Sequence, residues 1–256
     1  MDQSKSVVVP MTTQTKLSTA QSPNTAGERK EMVSIPYSSA VGSIMYMMIC
    51  TRPDLAYAIS ILSRFMADPG RAHWEALKQV LRYIKGTADC GVMFKRIDKY
   101  EGNPLLGFVD ADFAANIDSR RSQTGYIFTL YGAVVSWRSL LQPVVSLSTT
   151  KAEYLAMTEA VKEGVWLKGM IADFGISHKF VTIFCDNQSA LHLAKHQVFH
   201  ERSKHIDVRY HFVRDLVNKG IIQVSKVPTE ENPADCLTKP LQRIKFEHCL
   251  ELVNVV

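Results

Sequence analysis

The sequence holds no apolar run long enough to cross a bilayer. Its best stretch, Val41 to Cys50, falls far short of the roughly 20 residues a membrane helix needs. The N-terminus, Met1-Asp2-Gln3-Ser4-Lys5, lacks the apolar core of a secretory signal. Five cysteines (Cys50, Cys90, Cys185, Cys236, Cys249) stand apart with no C-x-x-C pair. That scatter argues against a disulfide frame and a zinc knuckle, and predicts reduced thiols in the cytosol or nucleus. No internal repeat is present. No large charge excess is present either: 30 basic against 25 acidic residues leave a net charge of +5. This permits a polyanion partner without requiring one. What remains, at 46% hydrophobic and 21% charged over 256 residues, is a folded chain of one large or two small domains.

Residues 1–36 are rich in Ser, Thr, Gln and Pro, with few large apolar side chains beyond Val7 to Val9. That composition predicts a linker, or an arm seated on something outside the chain. From Pro36 the spacing becomes helical. Val41, Ile44, Met45 and Met48 form one stripe; Leu55, Ala58, Ile59, Leu62, Phe65 and Met66 a second; Trp74, Leu77, Leu81 and Ile84 a third. Thr51-Arg52-Pro53-Asp54 separates the first two, with Pro53 suited to a first helical turn. A small three-helix subdomain over 37–96 follows, in which His73 reads as a surface residue beside a packed Trp74.

Beyond Gly86 the period changes. Gly91 to Phe94 reads as a short strand, and Leu105 to Phe113 as a buried one carrying Asp110 and Asp112 on the same side. Residues 124–130 and 133–137 flank Tyr131-Gly132 as a hairpin. Thr150-x-x-Glu153 has capping-box spacing and opens a helix to about Phe174, softened at Gly164. Phe180 to Cys185 is a strand ending at Asp186, and Asn187 to Lys195 a short helix. A second helix stops at Lys219-Gly220, a strand covers 221–227, and a loop brings Asp235 to the start of a last helix. The region 97–256 is therefore α/β, with a helical tail.

Asp110, Glu153, Asp186 and Asp235 each have an ordinary reading as turn, capping-box or N-cap residue. Their recurrence at strand ends and helix starts outweighs it. If the first and fourth strands are neighbours, the four converge at one edge of the sheet, with Asp110 as the expected bridging acid. Asp112 is expected to assist from the rim, a fifth ligand being the alternative. Such carboxylates repel unless cations are bound, and hard oxygen donors suit Mg²⁺ or Mn²⁺. Two ions of that kind stabilise both the attacking water and the leaving oxygen of a phosphodiester.

Several words of the sequence resemble the ribonuclease H domain of copia-type retrotransposon polyproteins. They are Val109-Asp110-Ala111-Asp112, Ser136-Trp137, Ser148-Thr149-Thr150-Lys151-Ala152-Glu153-Tyr154, Cys185-Asp186-Asn187-Gln188-Ser189-Ala190, His205-Ile206-Asp207-Val208-Arg209-Tyr210-His211 and Asn232-Pro233-Ala234-Asp235. Tyr37 to Ser43 and Thr51-Arg52-Pro53-Asp54 resemble the thumb or connection segment joining the polymerase to that domain. The resemblance implies a ribonuclease H-like five-stranded mixed sheet, order 3-2-1-4-5, flanked by helices. It implies that Asp110, Glu153, Asp186 and Asp235 hold two Mg²⁺ ions and cleave the RNA strand of RNA–DNA hybrids, leaving a 3′-hydroxyl and a 5′-phosphate. Implied partners are the hybrid and the polymerase part of the polyprotein, with no membrane and no small-molecule cofactor. The implied setting is intracellular, a cytoplasmic virus-like particle or the nucleus.

Two features depart from ribonucleases H and polymerases at large. Residues 228–234 lack the His that cellular and retroviral ribonucleases H carry before the last Asp, and no Tyr-x-Asp-Asp polymerase motif is present. Candidate duplex contacts are Arg120, Arg121, Asn187, Gln188, Lys204, His205 and Arg209. The competing readings are a non-catalytic nucleic-acid-binding remnant and an integrase. In an integrase the acids run Asp, Asp, Glu, whereas Glu153 here precedes Asp186 and Asp235.

Overall fold

A computed structural model describes residues 3–95, 102–176, 178–195 and 207–256. Helices α1 (Ala26–Val33), α2 (Tyr37–Cys50), α3 (Ala56–Leu62) and α4 (Arg71–Gly86) precede the sheet. Strands β1 (Leu105–Asp112), β2 (Gln123–Leu130) and β3 (Ala133–Leu141) lead into the long helix α5 (Thr149–Asp173). After β4 (Val181–Cys185) come α6 (Gln188–Lys195), α7 (Asp207–Asn218), β5 (Ile222–Lys226) and α8 (Arg243–Glu251). The sheet runs β3-β2-β1-β4-β5, antiparallel on the β3 side and parallel from β1 to β5. This is the order that the resemblance implies. Among the described residues, no single helix is long and apolar enough to cross a membrane.

Alternation along β1 divides the molecule. Leu105 and Val109 enter the core under α5, with Tyr154, Met157 and Val161. Phe108 faces the other way, stacked on Phe184 with ring centroids 5.2 Å apart, beside the core shared by α2–α4 and α8. Asp110 has the parity of Phe108 and so leaves the strand on the face opposite α5. Tyr131 and Gly132, at φ 52° and 82°, make the two-residue turn with positive φ at both positions that a twisted hairpin favours. β3 continues to Leu141, four residues past the expected end, with a register shift opposite Phe128/Thr129.

Helix α5 is not interrupted at Gly164. That glycine lies over the Phe128 ring, where a Cβ would stand 3.3 Å from Cε1, and Gly107 lies on the same ring at 2.5 Å. Helix and sheet approach through these two positions. Gly107→Ala is therefore expected to cost about 1–3 kcal/mol, because the aromatic ring has a helix behind it and nowhere to move. Urea unfolding checks this.

Several local expectations change. Gly91 to Phe94 makes one isolated bridge, Val92 to Val255, not a strand. The N-cap of α5 is Ser148, whose side chain accepts from Lys151 N–H, so Glu153 is not a capping-box acid. Asp235 lies in a 3-10 turn, Pro233–Leu237, ahead of α8. The N-terminal arm packs on the helical block, with Met11 buried and Gln79 Nε2 donating to Val9 O at 3.2 Å. His73 is fully buried there, stacked on Phe65. Its Nδ1 accepts from Gly70 N–H at 2.8 Å, leaving Nε2–H for Ser18 O at 3.1 Å.

Candidate active site

Each acid arrives from a different element. β1 delivers Asp110, the second turn of α5 delivers Glu153, the end of β4 delivers Asp186, and the 3-10 turn delivers Asp235. Parallel pairing of Val109 with Cys185 sets Asp110 beside Asp186. Asn232 closes the remaining side. Its Nδ2 donates to Val109 O at 3.0 Å and its Oδ1 caps Ala234 N–H, pinning the turn that carries Asp235 against β1.

One oxygen from each of Asp110, Asp186 and Asp235 lies within 4.8 Å of the others. Glu153, Cys185 and Asp186 form a second such group. The acid common to both is Asp186, where the sequence pointed to Asp110. Asp112 joins neither group. Three of the acids are buried (Asp110 2%, Glu153 7%, Asp235 0% exposed), which makes their charge expensive.

Burial pushes the Asp110 carboxyl up to about 7, reinforced by Asp235 and Asp186 and opposed by Lys239 and Thr238. Glu153 is pushed up to about 9 by burial and then by Asp110 and Asp186, against the Ala111 N–H it accepts. Asp112 is raised by burial. Cys185, whose Sγ lies 3.9 Å from Glu153 Oε2, is also pushed up by burial and that neighbour, so it is no thiolate nucleophile.

The basic partners were not singled out by sequence. Thr238 Oγ1 donates to Asp110 Oδ2. Lys239 Nζ lies 3.1 Å from Asp235 Oδ1 and 3.7 Å from Asp110 Oδ2, and Lys245 Nζ lies 2.5 Å from Asp235 Oδ2. Thr229 Oγ1 donates to Asp186 Oδ2 at 2.8 Å, and Glu231 of the same loop meets His248 Nε2 at 3.4 Å. A Lys one helical turn after an acid is the only signal that could have flagged Lys239.

The donor set fits divalent metal. Asp235 Oδ1 is buried and meets the Lys239 ammonium at 3.1 Å, so the fold already draws a cation to this oxygen. Ionised, the four acids and two lysines would leave two uncompensated negative charges. The four acids offer hard oxygens, as Mg²⁺ and Mn²⁺ prefer, while Cys185, the sulfur in the second group, is held as a thiol.

Of the candidate duplex contacts, Arg120 and Arg121 are exposed in the β1–β2 loop, at the same sheet end as Asp110. Asn187 caps α6, its Oδ1 accepting from Ala190 N–H at 3.0 Å, and Gln188 is exposed in the first turn. Lys204 and His205 lie outside the described residues, as does the side chain of Arg209.

No protein-family model matches the sequence. The chain is 48% identical over 256 residues to the retrovirus-related Pol polyprotein from transposon TNT 1-94 of Nicotiana tabacum, covering 100% of this chain and 19% of that protein. It is 40% identical to the corresponding polyprotein from transposon RE2 of Arabidopsis thaliana, covering 98% and 17%. It thus spans about a fifth of the length of these curated relatives. Among solved structures, an RNase H1 isolated from compost by a metagenomic approach aligns at 15% identity and a TM-score of 0.41, covering 54% of this chain and 94% of that one. The strand order, and not this likeness, carries the fold.

Proposed function

The chain belongs to the Pol polyproteins of copia-type retrotransposons, and on that premise we propose that its carboxylate centre is an endonuclease for the RNA strand of RNA–DNA hybrids. The observation that carries the reading is the meeting of Asp110, Asp186 and Asp235 oxygens within 4.8 Å, with Asp110 and Asp235 buried. Asp110, Glu153, Asp186 and Asp235 would hold two Mg²⁺ ions, Mn²⁺ being the alternative. Bound there, such ions supply an activated water and charge stabilisation at the leaving oxygen.

The rest of the work falls to the chain. Thr238 and Thr229 orient the Asp110 and Asp186 carboxylates, and Asn232 fixes the Asp235 turn on the strand. Burial of three acids strips them of competing water and strengthens their hold on a cation. No Ser, Cys or His nucleophile is required, and Cys185 is held as a thiol. Arg120, Arg121, Asn187, Gln188, Lys204, His205 and Arg209 are the proposed contacts to phosphate and ribose, where the 2′-hydroxyl separates RNA from DNA. The polymerase part of the polyprotein is the proposed protein partner.

A labelled hybrid incubated with the chain and Mg²⁺ tests this. The expected products carry 3′-hydroxyl and 5′-phosphate ends, with cleavage lost in EDTA and in Asp186→Asn. Duplex binding without Mg²⁺-dependent cleavage would instead assign a non-catalytic remnant.

A further inference from the structure

Lys239 stands one helical turn after Asp235, and its ammonium reaches Oδ1 of that acid at 3.1 Å and Oδ2 of Asp110 at 3.7 Å. Asp110 and Asp235 belong to the group whose oxygens converge within 4.8 Å. Oδ1 of Asp235 is fully buried, and the Lys239 ammonium is the cation that meets it. Lys245 differs. It donates to the opposite oxygen, Oδ2, and touches no other acid of the centre. Two lysines thus divide one carboxylate: one fastens its outer oxygen, and the other shares its inner oxygen with Asp110. Lys239 is flanked by Pro240, and its side chain is about one-third exposed (34%), which gives the ammonium a path to solvent.

We propose that Lys239 is a positioning residue of the centre, a resident counter-ion that a divalent metal must displace from the Asp110 and Asp235 oxygens. The proposal rests on the metal-dependent reading above. An ammonium left within ordinary contact of oxygens that bind a divalent ion would repel it strongly in so buried a place. The lysine must therefore leave, and the work of moving it weakens metal binding. The same cation holds the acids together whenever metal is scarce, so affinity and stability are set against each other at one side chain.

The test uses the full chain, with Mg²⁺ as probe and calorimetric titration as readout. Lys239→Gln is expected to lower the Mg²⁺ Kd at least tenfold. Lys245→Gln removes the same charge from the unshared oxygen and should change Kd by less than threefold. In parallel, an amine-reactive ester followed by peptide mass spectrometry should label Lys239 of the parent protein several-fold faster with Mg²⁺ than in EDTA. An unchanged or raised Kd in Lys239→Gln, equal gains in both variants, or Lys239 labelling that does not rise with Mg²⁺ overturns the proposal. Absence of Mg²⁺ binding in both parent and Lys239→Gln overturns it too. Hybrid cleavage is scored separately: displacement without cleavage leaves this inference standing while the nuclease reading falls.

Discussion

Glu153→Gln is expected to melt about 5 °C above the parent protein in EDTA at pH 9, and to lose hybrid cleavage at least about 10³-fold. Both effects come from one carboxyl. Glu153 is raised to about 9 and Asp110 to about 7, from ordinary values of 4.5 and 3.8. A carboxyl whose folded-state pKa is raised gives its full stabilisation below the unfolded value, and that stabilisation is lost as pH climbs through the folded one. The metal-free protein should therefore weaken steadily from about pH 4 to pH 9, first through Asp110 and then through Glu153, by several kcal/mol in all. Glutamine imitates the protonated acid and does not titrate. Its advantage should be absent at pH 5 and grow toward pH 9.

Mg²⁺ should reverse the order. Metal needs the ionised acids, so binding releases protons and strengthens as pH rises. In the parent protein the Mg²⁺-induced rise in Tm should grow from pH 6 to pH 9, and in Glu153→Gln it should be small throughout. Thermal melts across that range, with and without metal, decide the matter. A variant no more stable than its parent at pH 9 would show that Glu153 is not a strained acid. Asp110→Asn should behave alike, with its stability gain complete nearer pH 8.

The four acids were legible in the sequence because a strand end and a helix start announce themselves locally, and their order does the rest. Their balancing charges were not. Thr238 and Lys239 follow a turn, where hydroxyl and basic residues are ordinary, and only the folding of that turn onto β1 through Asn232 and Val109 brings them to Asp110. The start of α5 was misplaced because Ser148, Thr149 and Thr150 are all competent caps. Which of them serves depends on the preceding loop, where Gln142 Nε2 donates to Ala152 O. The cap at Ser148 frees Glu153 to turn into the site. His73 looked like a surface residue because its partner, Ser18, lies 55 positions away on a segment whose composition suggests a linker. The sheet order was readable through resemblance and strand count together. The softening at Gly164 was a propensity argument overridden by tertiary contact, since the missing side chain makes room for Phe128.

Arg52→Ala is expected to destabilise the protein by about 3–5 kcal/mol, because it strands a carboxylate in the core. Arg52 and Asp54 are 3% and 1% exposed, with Nη2 2.7 Å and Nε 3.0 Å from the carboxylate. Arg52 also donates to Thr87 O and Oγ1 and lies over the Tyr83 ring, whose hydroxyl donates to Asp54 at 2.8 Å. The motif Thr51-Arg52-Pro53-Asp54 is therefore a tie between the α2–α3 corner and the end of α4, with Pro53 opening a 3-10 turn. Without the guanidinium, the side-chain donor left to Asp54 among the described residues is the Tyr83 phenol. Arg52→Met combined with Asp54→Leu should cost less than Arg52→Ala alone, since no buried charge remains, and urea unfolding of the variants makes the comparison. The tie matters to the active site. Asp54 borders the same small cavity as Cys236 and Lys239, beside Asp235. Helices α2 to α4, Ala234, Leu237 and Phe246 share one core. Loosening the corner should therefore lower Mg²⁺ affinity as well as Tm, whereas the apolar pair, by refilling the space, should restore both. A loss of stability with unchanged Mg²⁺ affinity would show that the helical block supports the fold without buttressing the turn that holds Asp235.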